Sequence, residues 1–131
     1  MSKKNSSVIL KNCFKDYEEL KNIYSLFKKK LNSLKKKDFL IAVSGGPDSL
    51  ALTALAKAYS YNNKCKMYYA LVDHNIRKNS AQEARSVKKL LKKCQITLNI
   101  LKNKKMIKNN IQGEARMVRY NLLTQFCKKK K

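Results

Sequence analysis

The chain has 131 residues, 44% of them hydrophobic, which bounds it to one domain with enough apolar material for a core and excludes wholesale disorder. Lys and Arg number 31 against 8 Asp and Glu, a formal net charge of +23. That balance points to a polyanionic partner, nucleic acid first, unless the abundance of Lys and Asn is only a compositional bias.

Residues 1–15 are polar and are expected to form a flexible N-terminus. From Asp16 to about Lys36, Tyr17, Leu20, Ile23, Tyr24, Phe27, Leu31 and Leu34 recur every three or four residues, the spacing of one apolar helix face. Lys28, Lys29, Lys30, Lys35, Lys36 and Lys37 fall on the other face, either simply solvated or touching RNA. Residues 39–43 are a short, wholly apolar run, which suits a strand buried on both faces. Ser44-Gly45-Gly46 is a turn, and Pro47 suits the first position of a helix, where its missing N–H costs nothing. Leu and Ala then predominate to Ala58, and Asn62-Asn63 is a natural stop. Residues 67–72 are a second apolar strand. Strand, helix and strand in that order predict a parallel pair with a right-handed crossover. Ser80 followed by Glu83 predicts a capping box, opening a helix with Ala84, Val87, Leu91 and Cys94 inward. Residues 96–101 alternate with polar Thr97 and Asn99 and read as a third strand, nearer an edge. After a basic loop at 102–108, Asn109 or Asn110 caps a last helix with Ile111, Ala115, Val118, Leu122 and Phe126 inward.

The turn after the first strand is where chemistry is expected. Backbone N–H groups and the positive end of a helix dipole meet there, and an anion fits. Gly45 and Gly46 lack a Cβ, so the backbone there can adopt positive φ and approach a phosphate closely. Ser44 and Ser49 add hydroxyl donors. Asp48 repels a phosphate and makes sense as a ligand of Mg²⁺ beside it. No Gly-Lys-Ser/Thr follows at Walker A spacing. The plainer reading is an ordinary turn, since Gly-Gly-Pro-Asp is good turn chemistry. Ligands of parallel sheets sit at the carboxyl ends of strands, which places residues 73–77 beside the same point.

Ser44-Gly45-Gly46-Pro47-Asp48-Ser49 resembles the PP-loop of the ATP pyrophosphatases, whose pattern is Ser-Gly-Gly-x-Asp-Ser. Val72-Asp73-His74-Asn75-Ile76-Arg77, followed by Ser80-Ala81-Gln82-Glu83-Ala84, resembles a segment of the tRNA(Ile)-lysidine synthetases. Residues 110–120, ending Ala115-Arg116-Met117-Val118-Arg119-Tyr120, are similar to a later helix of that family. The resemblance covers about residues 38–127. It implies an α/β fold, the Rossmann-like adenine nucleotide alpha hydrolase type, with a parallel sheet in a three-layer α/β/α arrangement over residues 16–131. It implies ATP held by Ser44, Gly45, Gly46, Pro47, Asp48, Ser49, Asp73 and His74, with Mg²⁺ on Asp48. The implied reaction splits ATP into AMP and pyrophosphate. The wobble cytidine of a tRNA(Ile) with a CAU anticodon is adenylated through its 2-carbonyl oxygen, and free L-lysine then displaces AMP to give lysidine. Asp48 and Arg116 are then the catalytic candidates, and Arg77 and Arg119 the tRNA contacts.

Each of these residues also has a structural reading. Asp73 can cap a loop, His74 can be a satisfied structural histidine, and Arg77 can pair with Glu83. Arg116 and Arg119 can form helix-surface salt bridges, and Tyr120 reads as packing. The family's next strand and its His-x-x-Asp-Asp-x-x-Glu-Thr motif do not follow residue 127, so an N-terminal, incomplete PP-loop domain is expected. The alternatives are another PP-loop enzyme or a non-catalytic basic RNA-binding fragment. Cys13, Cys65, Cys94 and Cys127 form no C-x-x-C pair and the chain has one His, which argues against zinc and fits a reducing cytoplasm. No stretch approaches the roughly 18 apolar residues of a membrane span, and residues 8–10 are too short an apolar run for a signal peptide.

Overall fold

A computed structural model describes residues 17–131; the N-terminal stretch 1–15 lies outside the described residues. Among those described, three parallel strands form one sheet: β1 (Asp38–Val43), β2 (Lys66–Asp73) and β3 (Leu98–Lys102), in the order β1-β2-β3. The helices are α1 (Glu18–Ser33), α2 (Pro47–Asn62), α3 (Ser80–Lys93) and α4 (Ile111–Lys130). Asp38 lies opposite Lys66 and Val43 opposite Leu71; Tyr69 lies opposite Leu98 and Asp73 opposite Lys102.

Strand alternation divides the side chains between two faces. Ile41, Val43, Tyr69, Leu71 and Leu98 meet Ala56 of α2 and Ala84 and Leu91 of α3, and this is the core. The alanines let those helices approach the sheet closely. Tyr68, Ala70 and Val72 alternate to the opposite face. There α4 crosses, with Phe126 edge-on to Tyr68 at 6.4 Å between ring centroids. The result is the expected α/β/α layering on a parallel sheet, but the second layer is thin. No residue of α4 is fully buried, Ile111 at its start is exposed, and Ala42 of β1 is open to solvent.

Several local expectations change. α1 packs on α2, and its Phe27 reaches the edge of the core. Phe27 packs edge-on to Tyr59 at 6.3 Å, and the Tyr59 hydroxyl donates to Asn32 Oδ1 at 2.7 Å. Its apolar face is therefore narrower than the spacing suggests: Leu31 is buried, whereas Tyr17, Ile23 and Leu34 are exposed. The capping box at Ser80 does not form, because Asn79 is the N-cap and Ser80 is the first helical residue. Glu83 N–H goes to the Asn79 carbonyl at 2.9 Å, and Ser80 Oγ is buried without a partner. α2 stops at the asparagines as expected. Asn63 stays extended, and the Asn62 and Asn63 side-chain amides donate to the carbonyls of Ala58 and Tyr59 at 3.4 and 3.0 Å. Among the described residues β1 and β3 flank β2 in the sheet.

Tyr69 sits at 4% exposure with no partner for its hydroxyl. Burial first, then nearby Cys65 and Tyr61, pushes its phenol far above the usual range. An unpartnered buried hydroxyl costs about 1–3 kcal/mol. Tyr69→Phe is therefore expected to leave stability unchanged or raise it by about 1 kcal/mol, read as a higher urea midpoint.

Candidate functional site

Residues 44–49 join the carboxyl end of β1 to α2. Gly45 takes φ +86°, and a Cβ on it would stand 2.8 Å from Val87 Cγ2 of α3. Conformation and space both require glycine there. Gly46 does not use that freedom. It is extended at φ −72°, it is the N-cap of α2, and the nearest atom to a Cβ would be Ser44 Oγ at 3.6 Å. Its carbonyl accepts the first helical bond, from Leu50 N–H at 3.0 Å. Pro47 occupies the first turn as expected. Ser44 N–H donates to Ser49 Oγ at 2.8 Å, and Gly46 N–H to Ser44 Oγ at 3.4 Å. Both serines thus shape the loop and keep a hydroxyl proton to donate. No side chain caps α2, so the N–H groups of its first turn, Asp48 and Ser49 among them, remain available to an anion. The Asp48 carboxylate is exposed in that same turn.

Facing the loop is the carboxyl end of β2. Asp73 is buried, and its Oδ1 accepts Asn75 N–H at 2.9 Å, so it does cap its loop. Asn75 takes φ +56° to make that turn. His74 is half-buried with Nδ1 unpartnered. Burial, then the Arg119 guanidinium, holds its imidazole below the ordinary value against an opposing pull from Asp73. Buried Asn103 fixes this corner. Its N–H donates to the Asp73 carbonyl at 2.9 Å and its side-chain amide to the carbonyls of Lys105 and His74 at 2.7 and 3.4 Å. The sequence shows Asn103 only as one polar residue in a lysine-rich loop; its place one residue past a strand end is the signal that could have found it.

Two cavities open off the loop, and Ser44, Val72 and His74 line both. The smaller, about 150 Å³, also takes in Ala42, Ala70, Arg119 and Leu123. The larger, about 360 Å³, takes in Asp73, Arg77, Ser80, Glu83 and Val87. Arg77 and Glu83 line one cleft without forming an ion pair. Arg119 is thus brought to the loop side of the molecule. Arg116 is placed elsewhere on α4: it is exposed, stacks on the Tyr120 ring at 5.3 Å, and its Nη2 donates to the Tyr120 hydroxyl at 3.4 Å.

Among the described residues, no three His, Cys, Asp or Glu side chains converge on a metal position. A Mg²⁺ ion held by one carboxylate, water and phosphate oxygens needs no such cluster. Exposed Asp48 beside the free N–H groups fits such a role.

The profile of the PP-loop domain family matches residues 18–131. The chain belongs to the PP-loop family. It is also similar to proteins named tRNA(Ile)-lysidine synthase: 41% identical over 90 residues to that of Orientia tsutsugamushi (strain Boryong), covering 66% of this chain and 20% of the relative. The protein of Wolbachia sp. subsp. Brugia malayi (strain TRS) is 37% identical over 91 residues, covering 67% and 21%. That of Wolbachia pipientis wMel is 40% identical over 91 residues, again 67% and 21%. The PP-loop chain therefore spans about a fifth of the length of these relatives.

Two tests follow from the geometry of this PP-loop. Gly45→Ala is expected to cost about 1 kcal/mol or more, from the left-handed backbone and the Val87 contact. Gly46→Ala is expected to match the parent in thermal melting. The second test uses His74, the one histidine of the chain. Its folded-state value lies below the unfolded 6.5, so the unfolded chain binds the proton more readily. Stability from this group is full above pH 6.5 and is lost as pH falls from there through the folded value. Proton NMR titration is expected to show the His74 midpoint moving up in Arg119→Gln, and His74→Gln to flatten the urea midpoint across that window.

Proposed function

We propose that this PP-loop domain binds ATP at residues 44–49 and takes part in ATP-dependent tRNA modification of the lysidine type. The observation that carries this reading is the loop: a left-handed Gly45 turn presenting the uncapped N-terminus of α2 at the carboxyl end of a parallel strand. In the proposed reaction the wobble cytidine of a tRNA(Ile) with a CAU anticodon attacks the α-phosphate through its 2-carbonyl oxygen. Pyrophosphate leaves, and the amine of free L-lysine then displaces AMP. The N–H groups of residues 48–49 and the Ser44 and Ser49 hydroxyls hold the phosphate oxygens, where fixed dipoles need no reorganisation as charge develops. Mg²⁺ held through Asp48 would neutralise the departing pyrophosphate. Asp73 keeps the opposite wall in place through its turn. His74, held neutral, accepts or donates a hydrogen bond without adding charge. Arg119, whose planar fork suits phosphate oxygens, is the cation nearest the loop-side cavity. Arg77 serves the tRNA backbone, and Arg116 enters the reaction only by leaving Tyr120.

The net charge of +23 favours, as a second reading, a polyanion-binding role without turnover. Calorimetry of the chain with Mg-ATP tests the first reading. Saturable binding is expected, with Asp48→Ala and Gly46→Val each weakening it about tenfold or more, roughly 1.4 kcal/mol. Isotope exchange between pyrophosphate and ATP, with and without tRNA, then separates adenylation from binding alone. Binding of tRNA with no ATP binding would favour the second reading.

A further inference from the structure

Among the described residues, the buried polar side chains are Thr53, Asp73 and Asn103. Asp73 and Asn103 secure the wall at the carboxyl end of β2. Thr53, 1% exposed, lies in the second turn of α2, behind the loop. Its Oγ1 donates to the Ser49 carbonyl at 2.8 Å. Ser49 is also the residue whose Oγ accepts Ser44 N–H at 2.8 Å. One loop residue is therefore held from two sides, by the end of β1 through its hydroxyl and by the buried part of α2 through its carbonyl.

Stability alone gives no reason for a hydroxyl at position 53. The helical ladder already offers the Ser49 carbonyl a donor, the N–H of Thr53 itself. Valine has the same branched shape and a similar helix propensity. With Val the carbonyl keeps its backbone partner, so no polar group is orphaned. What the hydroxyl adds is direction. A threonine that bonds back to the carbonyl one turn earlier draws that carbonyl towards its own side chain and bends the helix slightly. The bend falls between the uncapped first turn of α2 and Ala56, which sits against the sheet. Ser44 Oγ in turn accepts Gly46 N–H at 3.4 Å, so a rotation of Ser49 passes through Ser44 to the N-cap.

We propose that Thr53 is a positioning residue for the loop at residues 44–49. It touches no ligand. It sets the angle of the Ser49 peptide, and with it the placement of the Ser44 and Ser49 hydroxyls and of the free N–H groups at the start of α2. Its consequence for binding rests on the ATP reading above, but the bonds themselves need no nucleotide, and the test has an arm for each.

The test compares two pairs of chains, each matched in shape except for the hydroxyl: the parent with Thr53→Val, which keeps the branch, and Thr53→Ser with Thr53→Ala, which both lack the methyl. The first arm uses no nucleotide. Water exchange of the Ser44 amide, read by NMR on isotope-labelled chain, is expected to quicken about fivefold from parent to Val and again from Ser to Ala. The urea midpoint of Thr53→Val is expected to equal or exceed the parent's. In the second arm, calorimetry with Mg-ATP is expected to show Kd rising about fivefold across the same two pairs, with Thr53→Ser close to the parent. Equal exchange of the Ser44 amide in all four chains overturns the proposal. So does parent-like ATP affinity in Thr53→Val, or a loss that follows the urea midpoint, with Ser as weak as Ala. Absence of ATP binding in the parent counts against the ATP reading, and the amide arm then decides on Thr53 alone.

Discussion

One hydrogen bond, Ser44 N–H to Ser49 Oγ at 2.8 Å, ties the end of β1 to the first turn of α2. Its net energy is modest, about 1 kcal/mol. Its importance is geometric. It closes the loop around Gly45, whose positive φ and missing Cβ allow α3 to bring Val87 underneath. The first turn of α2 then points its free N–H groups at the same place that the carboxyl end of β2 reaches. Deeper in α2, Thr53 bonds back to the Ser49 carbonyl at 2.8 Å, and Ala56 sits against the sheet. Loop and core are continuous, so the site is held by packing as well as by the loop itself.

The opposite wall is held by polar joints. Asp73 accepts from Asn75, and Asn103 bridges the Asp73, His74 and Lys105 backbones. These bonds let two loops of a lysine-rich chain meet where like charges repel. Burial and the Arg119 guanidinium hold the His74 imidazole below its ordinary value, against the pull of Asp73.

The strands, the helices and the loop were legible because apolar runs, Gly-Gly-Pro and alternating patterns report local physics. Where the reading went astray, the deciding partner lay far along the chain or one residue away. Gly45 and Gly46 are alike in sequence, and which of them must be glycine is decided by Val87, far along the chain. Ser80-x-x-Glu83 matches a capping box, yet Asn79 takes the cap and displaces the register by one. The apolar face of α1 is wider than its contact: Leu31 is buried, while Ile23 and Leu34 stay exposed. Arg116 and Arg119 share a motif, and only the orientation of α4 sets them apart. Asn103 carried no pattern at all, since its role depends on β2 as much as on its own loop.

The surface charge has a consequence for folding itself. Among the described residues, the one ion pair is Lys21 with Glu18 at 3.4 Å, on the surface of a single turn. Lys and Arg outnumber Asp and Glu by 31 to 8, and folding concentrates that charge. The native state therefore works against its own field, and counterions are part of what holds it together. Any polyanion that engages the folded surface, whatever its sequence, shifts the folding equilibrium by mass action. Under the proposed function a nucleic acid would thus act as a folding ligand as well as a substrate.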